Sequence, residues 1–254
     1  MSVKAAAARS SKYLYAVIAA QDHLELGNCG LNGQHVYTIS NGKFAAVVSD
    51  SSGEKILPQR KNLAAHQEVL KKLLAENLSV LPMAFGVAAN SQEAVEEVLT
   101  KNSEALASQL ERVADKVEMG VRVTWDVPNI FEYFVNLHPE LLAARDRLFS
   151  GEGEPRQDDK LAVGRLFEQL HASDREEFTE KVEDALTNSC AEIKVNRCRT
   201  EREVMNLVCL VDRSSLANFE QQVYAAAELF DDNFAFDFNG PWAPYNFVEV
   251  ALEF

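Results

Sequence analysis

From Val117 to Asp126 the chain alternates without a break. Val117, Met119, Val121, Val123 and Trp125 are apolar, while Glu118, Gly120, Arg122, Thr124 and Asp126 are polar or lack a side chain. A period of two sends successive side chains to opposite faces, so this is a strand with one face buried. Such a strand needs sheet neighbours and a covering layer, and the flanking sequence supplies both. Tyr13–Ala20 (YLYAVIAA) reads as a buried strand, followed by a turn-rich stretch from Gly27 to Gly33. His35–Ile39 and Lys43–Ser49 are short β-type runs around Asn41-Gly42, a strong hairpin signal. Residues 61–77 switch to helical spacing, with Leu63, His66, Val69, Leu70, Leu73 and Leu74 on one stripe. Val80–Phe85, closed by Gly86, reads as a strand. Ser91 caps a further helix, whose apolar face carries Val95, Val98, Leu99, Leu106, Leu110 and Val113. The order β-(ββ)-α-β-α-β predicts an α+β sandwich with helices on one face of a mainly antiparallel sheet. A ferredoxin-like domain with an extra hairpin is the simplest fit.

Pro128 breaks the pattern after Asp126, and residues 129–149 return to helical spacing. Ser150–Pro155 (SGEGEP) reads as a linker. Helical spacing resumes at Leu161–Leu170 and again at Phe178–Leu186. Ser173 and Glu176 form a possible capping box between them, so this is two helices or one with a kink. Strands at Ala191–Arg197 and Val204–Asp212, a helix over 215–230 and an alternating run through Phe234, Phe236 and Phe238 follow. After the turn Gly240–Pro244, a last strand is predicted at Tyr245–Leu252. The expected fold class is therefore α+β, two α/β-sandwich domains with mainly antiparallel sheets. The expected division is a flexible tail at 1–12, a ferredoxin-like domain at 13–127, and an acidic, helix-rich domain at 128–254 ending in an aromatic sheet. Charge follows this division: residues 1–127 hold 13 basic and 14 acidic side chains, and residues 128–254 hold 12 and 25.

A formal charge of −14 repels phosphate backbones and anionic lipid heads, which argues against nucleic acid as a partner. No stretch approaches the roughly 18 apolar residues of a membrane helix, so no membrane insertion is expected. The basic segment Met1–Lys12 followed by an apolar run has the outline of a targeting peptide, but the run is short and β-rich and reads as a tail and a first strand. Cys29, Cys190, Cys198 and Cys209 form no C-x-x-C pair, which favours reduced structural thiols over a metal site. There is no phosphate-binding loop, dinucleotide fingerprint, H-E-x-x-H or G-x-S-x-G. His66 lies on the packed stripe of its helix, and the sequence nominates no partner for a general base there. Glu176, Glu177, Glu180, Glu183 and Asp184 read as a solvated helix face. The expectation is no catalytic residue, no metal and no cofactor.

The richest feature is aromatic: 7 of the 22 aromatic residues fall in the last 21 positions. Phe234, Phe236, Phe238, Trp242, Tyr245 and Phe247 read first as a hydrophobic sheet face locked by a rigid turn, and second as an apolar partner-binding surface. Within this stretch Gly240-Pro241-Trp242-Ala243-Pro244-Tyr245-Asn246-Phe247 resembles the G-P-W-P-P-Y-S-F signature of the gas vesicle protein F/L family. Three more segments agree in order. Tyr13-Leu14-Tyr15-Ala16-Val17 resembles the opening Y-x-Y-G-[IV] strand. His66 with Val69-Leu70, then Leu81-Pro82-Met83-Ala84-Phe85-Gly86, resembles H-x-x-V-[LI] and L-P-[LM]-R-F-G. Lys116-Val117-Glu118 leading to Trp125-Asp126 resembles K-x-E…W-D. Ala16, Ala84 and Ala243 replace the usual Gly, Arg and Pro, so no role of that Arg is carried over.

The resemblance implies two α+β domains, the first a modified ferredoxin-like one. It also implies a non-enzymatic accessory or minor structural protein of gas vesicle assembly. Its partners would be the small hydrophobic shell protein and other gas vesicle accessory proteins, and its place the gas vesicle and the cytoplasm. Tyr13, Tyr15, His66, Leu81, Pro82, Phe85, Gly86, Trp125, Gly240, Pro241 and Pro244 carry the motifs and are expected to be structural. The alternative is a small-molecule-binding regulatory protein with paired ferredoxin-like domains.

Overall fold

Six consecutive buried residues, Tyr13–Ile18, form the centre of the first strand, β1 (Ser11–Ala19). A stretch of strand buried at every position must be covered on both faces, and the computed structural model, which describes residues 11–21, 24–150, 154–250 and 252–253, shows how. By its contacts the chain divides into two units, Met1–Glu118 with Gly240–Phe254, and Met119–Asn239.

The first unit holds β1, β2 (Val36–Ser40), β3 (Phe44–Ser51), β4 (Leu81–Pro82) and β5 (Ala88–Ala89), with helices α1 (Arg60–Ala75), α2 (Gln92–Lys101) and α3 (Ser103–Arg112). The sheet order is β2-β3-β1-β4, with β5 also paired to β1, and every pairing is antiparallel. This is the strand order of a ferredoxin-like sheet, with one modification. Between β1 and β2 the described residues hold a 3-10 turn at Leu31–Gly33, and no α-helix, where the first helix would be. The hairpin at Asn41-Gly42 forms as expected. Gly42 takes φ +90°, and the Asn41 side chain accepts from the amides of Lys43 and Phe44.

The helices cover both faces of this sheet, not one. His66 on α1 meets Tyr13 and Tyr15, while Val95 and Leu99 of α2 and Leu106 of α3 pack with Leu14 and Val17. A β-bulge between Leu14 and Ala16 shifts the register of β1 against β3. Of the predicted strand Val80–Phe85 only Leu81–Pro82 is a strand, followed by one more bond to β1 from the Met83 amide to the Tyr15 carbonyl (2.9 Å). Of the tail expected at 1–12, Ser11 and Lys12 belong to β1, and residues 1–10 lie outside the described residues.

The second unit takes β6 (Lys116–Trp125) from Met119 onward, α4 (Ile130–Leu137), α5 (Pro139–Phe149), α6 (Gln157–Leu186), β7 (Glu192–Asn196), β8 (Glu203–Asp212), α7 (Leu216–Ala227) and β9 (Phe234–Trp242) up to Asn239. The sheet order β7-β8-β6-β9 completes a β-α-β-β-α-β arrangement, with three helices in the first crossover. Its core joins alternate residues of β6 (Met119, Val121, Val123, Trp125) and β8 (Met205, Leu207, Cys209, Val211) to Phe134, Val182, Leu186, Phe219 and Val223. Helix α6 runs unbroken for 30 residues. No proline interrupts it, and Ser173 sits inside it, not at a cap.

Two boundaries therefore differ from the sequence expectation. The division by contact does not fall at 127/128, because β6 supplies the second unit's central strand and residues 240–254 group with the first unit. The strand predicted at Tyr245–Leu252 is a 3-10 turn, Tyr245–Phe247, and the described residues after it belong to no strand. In the other direction, β9 runs on through Gly240-Pro241, a cis peptide, to Trp242.

Candidate functional site

Four of the motif segments meet in the first unit. Tyr13 and Tyr15 project from one face of β1, which carries them two residues apart. His66 lies on the buried stripe of α1 with Val69, Leu70 and Leu73 at i+3, i+4 and i+7. The loop after β4 carries Phe85 and Gly86, and the C-terminal segment brings Tyr245. His66, only 2% exposed, stands at the centre. Its Nδ1 lies 2.8 Å from the Tyr13 hydroxyl and its Nε2 lies 2.7 Å from the Tyr245 hydroxyl.

The flanking bonds fix the tautomer. Tyr245 donates to the Met83 carbonyl (3.2 Å), so it accepts from His66 Nε2–H. Tyr13 accepts from the Gly86 amide (3.1 Å) and donates to Nδ1. The chain Gly86 N–H to Tyr13 to His66 to Tyr245 to Met83 C=O uses every polar hydrogen once. Phe85 packs edge-on against Tyr13 and His66. Gly86 holds its place at φ +95°, a region a side chain would strain.

The electrostatics follow from this enclosure. Burial pushes the His66 imidazole down from 6.5 to about 4, and only a contribution from the Met83 carbonyl opposes it. Burial likewise pushes Tyr13 up to about 12, and raises Tyr15 and Tyr245. At neutral pH the site holds a neutral histidine and neutral phenols. Both imidazole nitrogens are already bonded to protein, so neither is free to move a substrate proton.

The rest of the C-terminal segment is anchored in the same way. Glu118, 7% exposed, accepts from the Asn246 main-chain amide (2.8 Å) and from its side-chain amide (2.7 Å). This gives the Glu of the Lys116-Val117-Glu118 motif its physical role: it pins the turn that carries Tyr245 and Phe247. Phe247 is fully buried, as is Pro244, while Gly240 and Pro241 are exposed and the Trp242 ring is half-buried under Lys71 Nζ at 5.3 Å. Beyond the turn, Val248, Val250 and Leu252 pack on the α2–α3 side of the core. Gln109 Oε1 accepts from the Glu249 amide, and Asn102 bonds both the amide and the carbonyl of Glu253. A third anchor lies at Tyr15, whose hydroxyl bonds Ser49 (2.9 Å) and accepts from the Leu31 amide (2.8 Å). Gly30 is required beside it, because a Cβ there would lie 2.7 Å from that hydroxyl.

The remaining site residues of the sequence reading lie in the second unit. Trp125 is buried against Phe134 and His171. Phe234, Phe236 and Phe238 are half-buried on the core side of β9, Phe234 against Phe178 and Phe230, Phe236 against Phe230, and Phe238 against Tyr224. The six aromatic partner candidates are thus divided three and three between the units. Asn102, Gln109 and Ser49 carried no recognisable signal, since isolated polar residues on helices and strands look like surface. Among the described residues no group of three or more His, Cys, Asp and Glu could hold a metal, and no helix is long and apolar enough to cross a membrane.

Comparison with known proteins agrees with the family resemblance. The family model described as gas vesicle synthesis protein GvpL/GvpF matches residues 11–249. The chain belongs to this family. Gas vesicle protein F of Streptomyces sp. (strain CB03234) is 30% identical over 249 residues, covering 94% of this chain and all of the relative. The crystal structure of GvpF from Anabaena sp. PCC7120 superposes with a TM-score of 0.84 at 26% identity, covering 95% of this chain and 99% of that one. The fold is shared further with GvpF from Microcystis aeruginosa, with a TM-score of 0.80 at 22% identity. The GvpL/GvpF family is a gas vesicle family and not a known enzyme family, and its α+β fold is the one described above.

Proposed function

We propose that this protein is a non-enzymatic accessory or minor structural component of gas vesicle assembly that binds the hydrophobic shell protein. Family membership over 11–249 supports the gas vesicle role. The observation that carries the non-enzymatic part is the Tyr13–His66–Tyr245 chain, in which the one buried histidine of the motif set has both nitrogens committed to the fold. Binding an apolar subunit calls for exposed apolar side chains on a body that stays dissolved. The second unit combines the two: it holds 13 basic and 24 acidic side chains, yet Phe149 is 69% exposed and Leu161 48% on neighbouring helices. Of the aromatic candidates, Trp242 is half-buried beside Lys71 and Phe247 acts from the core. The proposed place of the protein is shell-associated, reached from the cytoplasm.

Capture of the purified shell protein by the intact chain tests the reading, with Phe149→Ser and Trp242→Ala as variants and circular dichroism as the folding control. Weaker capture by folded variants supports it, and no capture by the intact chain refutes it. A second reading, ligand regulation, is favoured by a cavity of about 550 Å³ between α5 and α6, where Leu148, Val163 and Leu166 meet Arg147 and Arg156. A thermal-shift screen against small carboxylates and nucleotides separates the two, since a ligand of this cavity raises the melting temperature and the shell reading expects no shift.

A further inference from the structure

Strand β7 ends the sheet of the second unit. Glu192–Asn196 pairs with Asn206–Leu210 of β8 on one side, and among the described residues no strand lies on the other. One row of its main-chain groups therefore faces away from the sheet. At its Val195 end a groove of about 390 Å³ opens between the β7–β8 hairpin and α6. Its floor is apolar, made of Val195, Val204 and Met205, with Val195 55% exposed. Its wall carries Glu176, Glu180 and Glu183, at i, i+4 and i+7 on one stripe of α6.

Like charges at this spacing oppose one another along a helix. Glu183 registers it: its carboxyl is raised by burial, and further by Asp184 and Glu180. The only cation lining the groove is Arg175, whose guanidinium is held on the carbonyls of Glu203 and Thr200, each at 2.7 Å. One positive charge against three negative ones leaves the wall acidic. Lys194 sits on the opposite face of β7 from Val195 and pairs with Glu192.

We propose that this groove takes an extended segment of a partner protein, added as a strand to the free edge of β7, with Lys or Arg at every second position. Alternate residues of a strand stand about 6.6 Å apart, while the steps along α6 from Glu176 to Glu180 and on to Glu183 rise about 6 and about 4.5 Å, so flexible basic side chains at alternate positions reach successive carboxylates. Their aliphatic stems cover Val195 while their charged heads reach the wall. Main-chain pairing supplies the attachment and the carboxylates choose the sequence. A second copy of this edge is disfavoured, because it would bring a second row of three carboxylates.

The test is fluorescence anisotropy of the full chain at physiological salt with three labelled octapeptides: Lys-Thr repeated four times, a block peptide of four Lys then four Thr, and Glu-Thr repeated four times. The alternating basic peptide is expected to bind about tenfold more tightly than the block peptide of equal charge, and the Glu-Thr peptide not to bind. Combined Glu176→Gln, Glu180→Gln and Glu183→Gln is expected to remove that preference. Neutralising Asp158, Asp159 and Glu168, in the first half of α6 and outside the groove, is expected to leave it. Equal binding of the two basic peptides, or a preference that survives the Glu176, Glu180 and Glu183 substitutions, overturns the proposal.

Discussion

Lowering the pH from 7.5 to 5 should weaken the first unit through His66 in particular. In the folded chain the imidazole is held near 4, against 6.5 in the unfolded chain, because it is buried and its Nδ1 lone pair accepts from Tyr13. A base with a depressed folded pKa contributes stability that is full above 6.5. That stability is lost as pH falls through the window down to about 4, where the unfolded chain binds the proton first. The whole window is worth about 3 kcal/mol, and the span from pH 7.5 to 5 about 2 kcal/mol. Protonation at Nδ1 would also place a second N–H against Tyr13, which must then stop donating, so the bond chain to Gly86 loses its direction. The assay is urea unfolding of the wild type and His66→Gln at both pH values, followed by a probe in the first unit. Carboxylates and His171, whose imidazole is also lowered by burial, titrate in both proteins and cancel in the difference. The wild type should lose about 2 kcal/mol more than the variant between the two pH values. Equal losses would show that His66 is not held neutral by the fold, and the reasoning would fail.

Other perturbations test the anchors around it. Tyr245→Phe removes the acceptor of His66 Nε2–H and the donor to Met83, and should cost about 1–3 kcal/mol by urea denaturation. Phe247→Ala empties a fully buried site and should cost about 3–5 kcal/mol. Trp242→Ala, at a half-buried ring under Lys71, should cost clearly less in the same titration. Gly30→Ala forces a Cβ against the Tyr15 hydroxyl and the Gln34 carbonyl, and should lower the melting temperature by several degrees. Asn102→Ala should raise hydrogen exchange at Glu253, whose amide it holds.

Local signals were legible wherever one face of an element is buried. The strict alternation of 117–125 is β6, the stripe through His66 is α1, and Asn41-Gly42 is a hairpin. Membership was harder to read than type. Pro128 marks the end of β6, and the sequence reading took it as the end of a domain as well. Which sheet a strand joins depends on partners such as β8 and β9, far along the chain, and no local pattern encodes that. Once β6 is counted with the second unit, the order β-α-β-β-α-β appears. The site shows the same division. Periodicity placed His66 on a buried face, but its acceptor Tyr245 lies 179 residues away. The aromatic tail stood out in composition, yet its role divides. Phe234, Phe236 and Phe238 line one core, while Tyr245 and Phe247 complete another. An aromatic side chain that completes a core and one that meets a partner have the same sequence signature, and only burial distinguishes them.

The central claim, a folded acidic protein that binds the hydrophobic shell subunit, is tested most directly by light scattering. Shell protein diluted from denaturant into buffer aggregates, and its scattering is followed with and without an equal amount of this chain. The account predicts that the chain suppresses scattering at equal molar ratio and that the Phe149→Ser variant does so less. Scattering that rises unchanged in the presence of the folded, intact chain would contradict it.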